Sequence, residues 1–163
     1  MKPFAPSLCG LALFASFAAT AAPCDAPAHR AFDFWLGTWQ VRTPDGKLVG
    51  VNRIEREYGG CVLHERYVAS PTYSGESLNI YDAPRRVWHQ TWVDSTGTLL
   101  TLEGVLREGS MVLEGQTTGA DAQATRHRIT WTPNADSSVR QLWESTDAKG
   151  AWSTAFDGLY TRK

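Results

Sequence analysis

The stretch Thr98–Thr118, TLLTLEGVLREGSMVLEGQTT, decides the class of fold. It divides around Glu108-Gly109 into two short runs, Thr98–Leu106 and Met111–Thr118. In the second run Met111, Leu113, Gly115 and Thr117 fall on one side of an extended chain, and Glu114 and Gln116 on the other. A period of two with one apolar face is the pattern of a strand that lies half against a core. Glu108-Gly109 supplies the turn between the two runs.

The same grammar extends in both directions. Upstream are Thr38–Thr43, Lys47–Glu57, Cys61–Ser70, Ser77–Tyr81 and Val87–Asp94; downstream are Ala124–Thr132, Ser138–Thr146 and Ala151–Arg162. Turn residues separate them, among them Pro44-Asp45-Gly46, Gly59-Gly60, Ser95-Thr96-Gly97 and Asp147-Ala148-Lys149-Gly150. About ten strands result, and no gap is long enough for a crossover helix, so the sheet is antiparallel. A meander of this length leaves two edges unless it closes on itself. The expected fold is therefore all-β: a single antiparallel up-and-down β-barrel of about ten strands, with a two-sheet sandwich as the alternative. Ahead of the strands, Asp25-Ala26-Pro27 reads as a helix start. Phe32, Trp35 and Leu36 follow at helical spacing, and Gly37 serves as a stop, so one short amphipathic helix is expected near 26–36.

The chain has 163 residues, a formal net charge of −1, 42% hydrophobic and 20% charged residues. That balance excludes a disordered chain and offers no basic excess to steer it onto nucleic acid. Met1-Lys2, the apolar run Leu8–Ala22 and the small-x-small triplet Ala19-Thr20-Ala21 read as a secretory signal cut after Ala21. The run is short for a membrane span, and Pro23 sits where a lipidated Cys24 would need a small residue. The expected mature domain is thus 22–163, exported to a periplasm or outward, without stable membrane insertion. It keeps two cysteines, Cys24 and Cys61. An even pair in an oxidising compartment reads as one disulfide, with about 3–4 kcal/mol of loop-closure stabilisation.

Gly37-Thr38-Trp39 opens the first strand, a short helix precedes it, and an Arg-bearing strand ends the meander. This combination resembles the calycin superfamily, which includes lipocalins, fatty-acid-binding proteins, avidins and nitrobindins. More narrowly, four stretches resemble an exported bacterial family of calycin-like domains: Phe32–Trp39, Gly60–Glu65, Trp88–Asp94 and Phe156–Tyr160. The resemblance implies the barrel and no particular activity; the later lipocalin signatures are missing. It also implies that Trp39 closes the barrel bottom and that a late arginine packs on its face. Arg162 is the candidate, with Arg140 the alternative, in a cation–π contact of about 0.5–2 kcal/mol.

The residues that could carry chemistry are dispersed. His64 shares a face with Val62 and Val68, His89 with Val87 and Val93, and His127 with Ile129 and Trp131. If all three point inward they surround one lumen, and haem through a lumenal histidine becomes a reading. No H-x-H or H-E-x-x-H brings two ligands together, so no metal is expected. Glu65, Asp94, Glu144 and Asp157 are acid–base candidates on separate strands, for which pairing with surface arginines is the plainer account. No cysteine–histidine or Gly-x-Ser-x-Gly arrangement supplies a nucleophile. Trp88, Trp92, Trp131, Trp143 and Trp152 either line a pocket or fill a core. The leading expectation is a barrel that binds a small apolar or amphipathic molecule in its lumen, with His89, Trp92, His127, Trp131 and Trp143 as wall residues. An isomerase- or cyclase-type enzyme using a lumenal carboxylate or histidine, and a filled structural or partner-binding module, are the alternatives.

Overall fold

The structure, a computed structural model, describes residues 23–119 and 122–163. The signal segment expected over 1–21 lies outside them. Ten strands run in chain order: β1 Gly37–Arg42, β2 Leu48–Glu57, β3 Val62–Ser70, β4 Tyr73–Asp82, β5 Val87–Asp94, β6 Leu99–Arg107, β7 Ser110–Thr118, β8 Ala124–Pro133, β9 Val139–Thr146 and β10 Trp152–Arg162. Each pairs antiparallel with the next, and β10 pairs with β1, with Arg162 opposite Trp39. The sheet is a closed up-and-down barrel, so its edges are satisfied within the chain.

Alternation sorts the wall as expected in most strands. Met111 and Leu113 of β7, Ile129 and Trp131 of β8, and Leu100 and Leu102 of β6 are buried inside. Arginine and acid pairs cover the outside, including Arg128–Glu144, Arg140–Asp157 and Arg66–Glu57. Arg140 is therefore committed to Asp157 on the outer face, which leaves the Trp39 contact to Arg162. The last strand departs from simple alternation. A β-bulge between Thr154 and Phe156 shifts its register, so Phe156 faces inward opposite Trp143 while Thr154 pairs with the outward Glu144. Trp152 has the sequence parity of Phe156 and Tyr160, but that extra residue puts it on the opposite face, so it neither lines a pocket nor fills the core. Trp152 lies outside, beneath the guanidinium groups of Arg126 and Arg128.

One end of the barrel is plugged by the segment ahead of β1. It forms two pieces rather than the single helix expected: one α-turn, α1 Pro27–Arg30, and a 3-10 turn at Asp33–Trp35. Pro27 starts the first piece, but Asp25 does not cap it. The break at Phe32 lets Phe32 and Trp35 both enter the barrel, stacked on each other with centroids 4.9 Å apart. Phe32 also meets Trp88 and Trp131 edge-on. Burying Phe32 completely contributes about 1.5–3 kcal/mol. The indole N–H of Trp39 donates to the carbonyl of Trp35 at 2.9 Å, and that of Trp88 donates to the carbonyl of Ala28 at 3.2 Å. The Cys24–Cys61 disulfide ties the start of the plug to the start of β3.

The Gly-x-Trp motif has a direct physical reason. Gly37 has φ +140°, and a Cβ there would come within 1.9 Å of an Arg162 nitrogen. Glycine thus admits the guanidinium, which lies 4.0 Å above the Trp39 ring and donates to the carbonyl of Leu36 at 2.7 Å.

Candidate functional site

The other end of the barrel is open. Above the plug, between the inner ends of the aromatic wall, lies a cavity of about 250 Å³. Its apolar lining is Trp92, Leu100, Ile129, Trp143, Ala155 and Phe156; its polar lining is Glu65, Gln90, Gln141 and the three tyrosines Tyr67, Tyr73 and Tyr160. No lysine or arginine is among these residues.

Three glycines help keep the lumen from filling. A Cβ at Gly75 would sit 2.2 Å from the Trp92 indole, one at Gly50 2.5 Å from the Tyr67 ring, and one at Gly158 2.6 Å from the Phe156 ring. Each ring therefore lies down over a bare patch of neighbouring backbone instead of standing into the lumen. Side-chain bonds hold the rings there. The Tyr67 hydroxyl donates to the carbonyl of Val49 at 2.8 Å, and the Trp92 N–H donates to Asp94 Oδ2 at 3.2 Å. Burial disfavours ionisation of Asp94, but hydrogen bonds from Thr96, Trp92 and the Thr98 backbone outweigh it and hold this carboxyl at about 2. Asp94 is thus a fixed acceptor at the rim.

The floor is polar and directional. Glu65 stands on the inner face of β3 between Leu63 and Tyr67 and is 4% exposed. Asn52 Nδ2 donates to its Oε1 at 2.7 Å, and Ser77 Oγ donates to its Oε2 at 2.6 Å. Behind Ser77, Gln90 donates to Asn79 at 2.8 Å and Asn79 donates to Ser77 at 2.9 Å. The hydrogens of this chain all run toward the carboxylate. The Oδ1 of Asn52 is buried without a donor. Burial raises the Glu65 carboxyl to about 7, against the lowering effect of Ser77, Asn52 and the neighbouring His64. No ion pair involves Glu65 among the described residues. Tyr160 hydrogen-bonds Gln141 beside this network, and burial pushes its hydroxyl well above the ordinary phenol value.

The structure separates the five wall candidates. Trp92 and Trp143 line the cavity. His127 is inside but stands behind Trp143: its Nδ1 accepts from the Trp143 indole at 3.2 Å and its Nε2 meets Thr117 Oγ1 at 2.9 Å. An acceptor at Nδ1 leaves the proton on Nε2, the neutral tautomer, and burial lowers the pKa in the same sense. Trp131 points inward but belongs to the plug, packed on Phe32 and Trp35. His89 is corrected: it lies on the outer face of β5, between Glu103 at 3.1 Å and Thr91 at 2.9 Å. Trp88, Gln90 and Trp92 occupy the inner parity of that strand, which its sequence left open. His64 is also outside, between Glu57 and Glu76.

The three strand histidines therefore do not surround one lumen, and the one inside has both nitrogens engaged, so these residues do not fit a haem ligand set. No group of three His, Cys, Asp or Glu among the described residues could hold a metal ion. Of the acid candidates, Glu144 and Asp157 are paired outside, and Glu65 alone reaches the lumen floor. The tyrosines, the glycine seats and the amides at 52, 79 and 90 were not singled out from sequence. Compared with known proteins, the chain matches no protein-family model and no curated protein.

Proposed function

We propose that this barrel binds a small amphipathic molecule in its lumen, with the aromatic wall around the body of the ligand and the Glu65 floor against its polar end. The observation that carries this reading is the cavity of about 250 Å³, open at one end and seated on a polar network. A cavity of about 150 Å³ is large enough for benzene. This one suits a single ring with a short polar arm. Apolar contact contributes roughly 25 cal/mol per Å², and the floor fixes orientation. The disulfide favours an oxidising, exported setting for this binding.

Native mass spectrometry with 2-phenylethanol tests the reading. One saturable 1:1 complex is expected in the parent. Ala155 lines the cavity and is itself exposed, so Ala155→Phe obstructs the cavity without cutting into the core. Loss of the complex in that variant supports lumenal binding; undiminished binding refutes it.

Glu65 carries a second reading. A lumenal carboxyl near 7 can take and return a proton at neutral pH, as an isomerase would need. Its test is solvent deuterium uptake into a bound ketone: uptake that Glu65→Gln abolishes supports catalysis, and a ligand recovered without deuterium refutes it.

A further inference from the structure

From the lumen's geometry we infer that the ligand class is an organic amine bound as its ammonium ion, paired with the Glu65 carboxylate under the aromatic wall. The inference rests on the lumenal-binding reading and names its chemistry. Three observations carry it. First, Glu65 faces the cavity and accepts hydrogen bonds from Asn52 and Ser77, with two further amides, Asn79 and Gln90, aligned behind Ser77. Such an array suits a carboxylate, since each of its two oxygens already accepts from a donor. Second, the carboxyl is buried without a cation, and Asn52 Oδ1 beside it is a buried acceptor without a donor. An unpaired buried charge is costly, so the site favours a partner that brings positive charge and N–H groups together. Third, Trp92, Trp143, Tyr67 and Tyr73 give the cavity the π-faces that attract an ammonium, and no basic side chain lines it to compete. An anionic ligand would meet Glu65 inside and Asp94 at the rim.

The groups that face Glu65 leave it as the acidic switch of the lumen. Tyr67 on β3, Tyr73 on β4 and Tyr160 on β10 have their hydroxyls pushed up, chiefly by burial, and stay neutral. Asp94 on β5 stays ionised, and His127 on β8 is held toward its neutral form by burial. His64, next in the chain, is on the outer face with Glu57, Glu76 and Arg66. Asn52 on β2 and Ser77 on β4 do not titrate. An ammonium must displace the proton of Glu65 wherever the carboxyl is protonated. Binding then strengthens by close to a hundredfold from pH 5 to pH 8, because the carboxyl ionises at about 7.

Calorimetric titration with 2-phenylethylamine, 2-phenylethanol and phenylacetate distinguishes the outcomes. The amine is expected to bind at least about tenfold more tightly than the alcohol at pH 8, and phenylacetate more weakly than either. Titration at pH 6 in two buffers of different ionisation enthalpy should count close to one proton released per amine. Glu65→Gln should abolish the amine preference, the pH dependence and the proton release while 2-phenylethanol still binds, which also shows that the variant is folded. Ser77→Ala, which removes one donor to the carboxylate, should weaken the amine alone. Equal binding of amine and alcohol, or an amine preference that survives in Glu65→Gln, overturns the inference and leaves lumenal binding standing. Failure of all three compounds to bind overturns both.

Discussion

Replacing Glu65 with glutamine should change how stability depends on pH, by an amount the site itself sets. A carboxyl ordinarily near 4.5 ionises at about 7 in the folded barrel, because burial outweighs its two donors. The folded state therefore holds its proton more tightly than the unfolded state, and stability falls as pH rises between those values. The penalty is absent below about pH 4, grows through the interval and reaches about 3 kcal/mol by pH 8. Glutamine keeps the shape and cannot ionise. It also turns an N–H toward one of the two donors, Ser77 or Asn52, at a cost of about 1–3 kcal/mol at every pH. The sign at a single pH is therefore uninformative, and the difference between two is decisive. Urea unfolding of parent and Glu65→Gln at pH 5 and pH 8 should show the variant gaining roughly 2.5 kcal/mol on the parent across that span. A constant difference between the two proteins would mean that Glu65 ionises as an ordinary surface carboxyl, and the account of the lumen floor would fail.

Other perturbations separate the parts of the barrel. Gly75→Ala should push the Trp92 indole off its seat, costing about 1–3 kcal/mol and abolishing 2-phenylethanol binding, as read by urea unfolding and calorimetry. Replacing Cys24 and Cys61 together by alanine opens a 37-residue loop and should cost about 3–4 kcal/mol in the same unfolding assay. Arg162→Ala should cost about 1–2 kcal/mol, and Arg162→Lys should recover little of it, since lysine lacks the planar group that stacks on Trp39.

Much of this architecture was legible because it is written in local periodicity. Alternation and turn residues marked ten strands, and the Gly37-x-Trp39 motif with a terminal arginine anticipated the closure between β1 and β10. The two cysteines anticipated the bond between them. Legibility failed where a side chain's role depends on another strand. Val87–Asp94 carries apolar residues at both parities, so its inner face is settled by neighbours, and His89 fell outside. A single bulge residue turned Trp152 away, and no composition signal marks a bulge. The seating of Tyr67, Trp92 and Phe156 over glycines depends on ring directions across strands, which no single run contains. Glu65 did carry a signal: Leu63, Glu65 and Tyr67 share one parity while His64 and Arg66 share the other. A glutamate on the apolar face of a strand is the mark of a lumenal carboxyl, and the plainer surface pairing obscured it.

The indole N–H resonances of the seven tryptophans report the two ends of the barrel separately. Trp92 and Trp143 hold their N–H bonds at the cavity, to Asp94 and His127. Trp35, Trp39 and Trp131 lie in the closed end. Titration of the labelled protein with 2-phenylethylamine should move the Trp92 and Trp143 signals saturably and leave the other three in place. Shifts confined to the outer Trp152, or no shift at saturating ligand, would contradict the claim that this barrel is an open vessel for a small molecule.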